Sequence, residues 1–452
     1  GAALRLYYQS YCLVLYCYTR PDTGDFIAHV IISEEGARMG CVLGSMAFDL
    51  TIAPVYETLD KEFPEFDSVA HTDDNPVGIP RPQDGDWNAR LLRYHQRQCR
   101  YDQLANPLGA YRNMTKSKLL LPPDCPRDLD ALRHFPNATW DGLTIMGAPI
   151  GTPAFCTEFL EDKILEVNNK IGDVVAFGMD EPQMAMRLLG GCINVALDYL
   201  AGLIDPTIFQ PFAERMDAAL DEARYNLLYP PGTESLERST TNRERAQMIA
   251  SLPAVHGGVG HALLQDKYAA AYVTTVVKVL TLDRRVCDRR GEFLAPVTAA
   301  YEILTPKLPP NALQPGHRLT KTIPANAQDL TIIPTIAKRY FHKKPKRKMM
   351  AGVMAEIHAA RRHRLRSEAA QQRDGAPTQD TPTEAMRLHI LEITSRSMAS
   401  RVLTTDFANE WARMTPFLFR TFLRAHLGMP QPAQFVGAER RHIGGAMEEA
   451  CP

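Results

Sequence analysis

The spacing of apolar residues changes character partway along the chain. Up to about residue 150, short apolar runs alternate with turn residues; from Thr152 onward the apolar positions recur at helical intervals. Leu4 to Ile32, rich in Tyr, Val and Ile, reads as strands broken by the turn Arg20-Pro21-Asp22-Thr23-Gly24. A Gly-punctuated loop, Glu35 to Gly44, leads into a helix carrying Phe48, Ile52, Val55, Tyr56 and Leu59 on one face. Pro54 is expected to kink that helix. Phe66 to Gly78 predicts a tight hairpin, with Val69 and Val77 flanking the turn His71-Thr72-Asp73-Asp74-Asn75. A helix is predicted from Trp87 to about Leu104, capped by Asp84 or Asp86, and short strands at Lys118 to Leu121 and Leu143 to Met146.

The second half predicts helices at Phe155 to Ile171, Pro182 to Leu203, Pro206 to Leu227 and Tyr268 to Leu282. The polar, Pro-rich stretch Pro306 to Pro324 reads as a linker. A basic helix is expected after Pro345, ending near Arg366. Gln371 to Thr383 has little to bury, and a last helical unit runs from Glu384 to about Leu427 with a break near Thr404. The implied division is 1–155, 156–305, a linker 306–337, a basic segment 338–370, a flexible linker 371–383 and a helical region 384–452, in an α+β chain.

Composition narrows the setting. Apolar residues make up 45% and charged residues 23% of 452 positions, ordinary for a globular chain of two to four domains. No run of about 18 apolar residues appears, so no membrane span and no membrane partner are expected. Nine scattered cysteines without a Cys-x-x-Cys pair predict reduced thiols in a nuclear or cytoplasmic, intracellular protein without an internal structural zinc. The chain starts Gly1-Ala2-Ala3 and reads as a processed, tagged or cut product.

The net charge of −1 conceals an asymmetry. Lys338 to Arg366 holds 11 Lys or Arg against one acid, Glu356, a local sum of +10, so the remainder carries −11. Such a segment suits a polyanion, with Lys343, Lys344, Lys346, Arg347 and Lys348 as nucleic-acid contacts beside Tyr340 and Phe341. A solvated helix face or a nuclear-import signal would have the same composition.

The chemistry-bearing pair is Asp73-Asp74. Two adjacent carboxylates at a hairpin tip repel unless a cation neutralises them. Mg²⁺ favours one or two carboxylates together with phosphate oxygens, an arrangement suited to in-line phosphoryl transfer. A solvated Asx turn is the bland alternative. What changes the balance is order along the chain. The Gly-rich loop Met39-Gly40-Cys41-Val42-Leu43-Gly44 comes first and His71-Thr72-Asp73-Asp74 second. Asn113-Met114-Thr115-Lys116-Ser117 and Met146-Gly147-Ala148-Pro149-Ile150-Gly151 follow.

That order resembles the reverse transcriptases of non-LTR (LINE-like) retrotransposons, from about Tyr7 to Phe155. Their palm carries a Gln-Gly-Asp-Pro-Leu-Gly-type loop, a Tyr-Ala-Asp-Asp hairpin, an Asn-x-x-Lys-Ser turn and a Leu-Gly-x-Pro-Ile-Gly strand. Asp198-Tyr199-Leu200, His256-Gly257-Gly258-Val259-Gly260 and Ala269-Ala270-Ala271-Tyr272 are similar to the family's thumb and connector. The departures are Met39 and Val42 for the family's Gln and Pro, His71 for Tyr, and Asn75-Pro76 for an aliphatic pair.

The resemblance implies a partial right-hand polymerase palm, then a helical thumb/connector and a C-terminal helical extension. It implies an RNA-directed DNA polymerase using an RNA template, a DNA primer or target, and dNTPs. Two Mg²⁺ ions would be held by Asp73, Asp74 and a further Asp on an earlier strand. That strand, with the fingers, is expected before Leu4, so residues 1–452 alone are expected to be inactive. By the same resemblance Gly40, Leu43 and Gly44 would shape the template and nucleotide pocket, and Lys116 would lie near the triphosphate. The family commonly continues into a Cys/His zinc knuckle and an endonuclease domain; by the resemblance Cys451 would open such a cluster, and an arbitrary free terminal thiol is the equal alternative. The alternative is a non-catalytic palm acting as an RNA- or DNA-binding or assembly module.

Overall fold

A computed structural model describes residues 12–19, 26–33, 42–68, 76–229, 240–253, 256, 258–282, 290–321, 323–332, 347–371 and 415–427. They are mixed helix and small sheets, an α+β chain, and fall into two compact units that divide between Thr152 and Pro153. The expected boundary was 155.

In the N-terminal unit, β1 (Cys12–Thr19) and β2 (Phe26–Ser33) pair antiparallel from Cys12 opposite Ser33 to Thr19 opposite Phe26. The residues of the turn between them lie outside the described set. Helix α1 (Val42–Glu62) follows, and its helical assignment continues through Pro54, whose carbonyl accepts from Thr58 Oγ1 at 2.8 Å. Ile52, Val55 and Leu59 line its buried face with Phe63, Phe66 and Ala105. Strands β3 (Asp67–Ser68) and β4 (Val77–Gly78) pair antiparallel.

Helix α2 (Trp87–Ala105) starts where the side chain of Asp86 accepts from Ala89 N at 2.9 Å, satisfying an otherwise orphaned donor. Asp84 Oδ1 accepts from Asp86 N at 3.1 Å, so the two candidate caps act in series. Tyr94 joins the two halves of this unit's core, packing against Phe66 on one side and stacking on Phe135 on the other. Beyond α2, β5 (Leu119–Leu120) pairs parallel with β6 (Ala138–Thr139), and β7 (Gly142–Ile145) pairs antiparallel with β8 (Ala148–Gly151). The β7–β8 turn is Met146-Gly147, with φ of 50° and 79°, the primed-turn geometry that follows strand twist. The described strands form four separate two-stranded ladders, rather than the single antiparallel sheet that a palm implies.

The C-terminal unit is helical. Helix α3 (Pro153–Phe177) extends further than the predicted 155–171 at both ends and packs on α6 (Pro206–Leu228). The predicted helix 182–203 is broken into α4 (Pro182–Leu188), a wide π turn (Leu189–Ile193) and α5 (Asp198–Ala201). The break sits at Gly190, where a Cβ would come within 2.5 Å of the buried His261 ring. Residues 182–201 are long and apolar enough to cross a membrane by length and composition. Ala185, Met186, Leu189, Ile193, Leu197 and Leu200 are nonetheless buried in this unit.

Helix α6 places Phe209, Phe212, Met216, Leu220 and Leu227 in the core at successive turns and packs on α8 (Leu264–Leu282). Helix α7 (Thr240–Ser251) lies between them in the chain. Against α8 also pack α9 (Leu294–Leu304) and α10 (Arg347–Gln371). Helix α11 (Pro416–His426) lies against α4 and α6. Its Arg420 and Arg424 donate to the Leu227 and Leu228 carbonyls, both at 2.8 Å, satisfying acceptors that the end of α6 leaves open.

One expectation fails here. The described residues of 306–324 carry only short 3-10 turns, at Thr305–Lys307 and Leu319–Lys321, but they are not a free linker: Leu308, Ala312, Leu319 and Ile323 are buried. Tyr301 Oη donates to Pro324 O at 2.6 Å. Apolar residues between the prolines dock the segment without an α-helix or a strand among the described residues.

Candidate functional site

The hairpin expected to carry the carboxylates has its stem in place. Ser68 Oγ on β3 donates to Asp60 Oδ1 on α1 at 2.8 Å, and Val77 on β4 packs against the α1 cluster. The aspartates Asp73 and Asp74, with His71, lie outside the described residues, as does Gly40. Leu43 and Gly44 fall in the first turn of α1. As donors for a divalent cation, two carboxylates suit Mg²⁺, which takes oxygen ligands. Among the described residues, no group of three or more His, Cys, Asp or Glu is placed to hold a metal.

Lys116 is on a firmly built turn. Asn113 Oδ1 accepts from Lys116 N at 3.1 Å and from Thr115 Oγ1 at 2.7 Å. Asn113 O accepts from Ser117 N and Ser117 Oγ, both at 2.9 Å. From the other side, Asn137 Nδ2 lies 3.0 Å from Met114 O and from Ser117 O. Much of the turn's backbone hydrogen bonding is thereby met, and Lys116 is left exposed. Nothing in the sequence around Asn137 signals this role, because its partners lie more than 19 residues away in a segment brought alongside by the β5–β6 pairing.

Behind the turn, Arg112 grips Asp102 of α2 through Nε and Nη2 at 2.7 and 2.6 Å. A hydrogen bond to Asp102, partly opposed by burial, raises the guanidinium pKa further. His134 stacks on His95 with ring centroids 3.9 Å apart. Burial and the neighbouring His134 lower the His95 pKa.

The later motifs come together in the C-terminal unit. Lys267 Nζ donates to Asp198 Oδ1 at 2.6 Å and to Asn194 O at 3.0 Å, tying α8 to α5. Gly202 passes so close that a Cβ would come 2.8 Å from Thr275 Oγ1. At Gly258 a Cβ would come 1.8 Å from Leu252 O, so the His256–Gly260 segment folds directly over the end of α7. These contacts give the motifs packing roles.

The basic segment is divided. Lys343, Lys344 and Lys346 lie outside the described residues, and Arg347 and Lys348 open α10. Further along α10, Val353, Ile357 and Leu365 are buried. Arg361 turns inward to an ion pair with buried Asp266 at 2.6 Å, so this basic residue of the segment has a partner within the fold. The described cysteines Cys99, Cys125, Cys156 and Cys192 are free thiols.

Comparisons of the chain with protein-family models, with curated proteins and with solved structures found no match.

Proposed function

We propose that this chain is part of an RNA-directed DNA polymerase of the non-LTR retrotransposon type. Four motifs in palm order support the reading. The observation that carries it is the paired stem of residues 67–68 and 77–78 bound to α1, since it brackets Asp73-Asp74 with antiparallel strands next to the helix that follows the Gly-rich loop. In this reading Asp73 and Asp74 hold Mg²⁺, which when bound supplies charge neutralisation at the transferring phosphate. Lys116, exposed on its clamped turn, faces the triphosphate and provides a cation, and a proton at Nζ, for the departing pyrophosphate. The substrates are an RNA template, a DNA primer and dNTPs.

A second reading, a nucleic-acid-binding module without catalysis, is favoured by the two-stranded ladders that the described strands form in place of one palm sheet. Primer extension on an RNA template with Mg²⁺ decides between them. The assay uses the chain and the chain expressed with whatever coding sequence precedes Gly1. The polymerase reading expects extension from the longer form that Asp73→Ala abolishes while RNA binding stays within about twofold. Extension surviving Asp73→Ala, or none from either form, refutes it.

A further inference from the structure

A recess beside the Lys116 turn is lined on its polar side by Gln98, Arg112, Ser117, Lys118, His134 and Asn137, and none of its lining residues is acidic. The guanidinium of Arg112 in this lining is already paired with both oxygens of Asp102. Lys116 and Lys118 form no ion pair among the described residues, and Arg133 donates to His134 Nε2 at 3.3 Å rather than to a carboxylate. Lys118 therefore brings an uncompensated positive charge to the recess, beside an Arg112 already neutralised by Asp102. A charge surplus of this kind favours an anion there, most of all one that several donors can reach together.

The walls are built before any ligand arrives. Asn113 and Asn137 fix the turn, and the Leu119–Ala138 pairing fixes Lys118 and Asn137 at the start of the β5–β6 ladder. Tyr94 stacks on Phe135 at 5.7 Å and His95 on His134 at 3.9 Å, so the imidazole is held in place. Because His134 Nε2 already accepts from Arg133, its proton belongs on Nδ1 in the neutral ring. Preorganised donors lose little freedom on binding.

We propose that this recess is a phosphate-binding site, with Lys118 and His134 as its principal contacts. The phosphate is that of a nucleic-acid backbone or of a nucleotide. Neither Asp73 nor Asp74 enters its test, so the site can fail without touching the polymerase reading.

Two probes separate the sources: inorganic triphosphate by calorimetry, and a fluorescein-labelled single-stranded RNA by anisotropy across a salt series. The test protein is Lys118→Gln combined with His134→Gln, and the control is Lys170→Gln, which removes one exposed lysine of α3. Far-UV circular dichroism checks that each variant is folded. The proposal expects about tenfold weaker binding of at least one probe relative to the control. Weakening of RNA alone, with a salt slope flattened by about 0.7 for each lost phosphate contact, assigns a backbone phosphate. Weakening of triphosphate alone assigns a nucleotide, and weakening of both assigns a site open to either. If neither probe weakens beyond Lys170→Gln, the recess is not a phosphate site.

Discussion

Helix α8 is started by a residue from elsewhere in the chain. Asp217, in the middle of α6 and 1% exposed, accepts from Leu264 N at 2.8 Å and Gln265 N at 2.9 Å. Asp217→Ala strands two N–H groups in the interior, at about 1–3 kcal/mol each. Removing the buried carboxylate also removes its desolvation cost, so a net loss of about 3 kcal/mol is expected, a substantial share of the roughly 5–15 kcal/mol typical of a folded protein. Asp217→Asn retains an acceptor and should lose about 1 kcal/mol. Burial raises the Asp217 pKa, against the lowering effect of the two backbone N–H groups. A carboxyl with a raised folded pKa stabilises the fold fully below its unfolded value, and that contribution is lost as pH rises through the folded value. The gap between wild type and Asp217→Asn should therefore narrow as pH climbs from about 4. Urea unfolding followed by far-UV circular dichroism at several pH values measures all three proteins. A loss below about 1 kcal/mol for Asp217→Ala, or equal losses for Ala and Asn, would show that this cap does not hold α8.

Two further predictions concern the same unit. His261 is buried next to Arg224 and its pKa falls to about 3; His358, buried beside Arg361, falls to about 4. Depressed histidine values mean that stability is present above the unfolded value of about 6.5 and is lost on acidification, by roughly 1.4 kcal/mol per pH unit per group. The pH dependence of unfolding between about 6.5 and 4 should flatten when both are changed to Gln, whatever the substitutions cost by themselves, and an unaltered slope would contradict the assignment. Gly258→Ala should lower the unfolding free energy by more than about 2 kcal/mol, since its Cβ would overlap the Leu252 and Ile249 carbonyls. Wild-type stability in that variant would mean that the loop does not pack over α7 as described.

Local chemistry was enough for some of this architecture. The Trp87 helix and its aspartate cap, the β1–β2 pairing, the hairpin stem around residues 67–78 and the Pro206 helix were all legible, because each is written in contiguous residues. Periodicity reports which face is buried, Asp or Pro marks a start, and turn residues mark a reversal. The order of four motifs suggested the chemistry for the same reason. Other features needed the third dimension. The helix predicted at 182–203 is interrupted where Gly190 packs against buried His261, a residue far along the chain, and 306–324 docks through isolated apolar residues that show no period. Arg361 carries the same charge as its neighbours in the basic segment, yet its partner Asp266 is set by the packing of α10 on α8. The phosphate recess joins residues from α2, the Lys116 turn and the 134–137 segment. Only pairing of β5 with β6 brings Asn137 to the Met114 and Ser117 carbonyls, and a contact between distant segments leaves no pattern in either one.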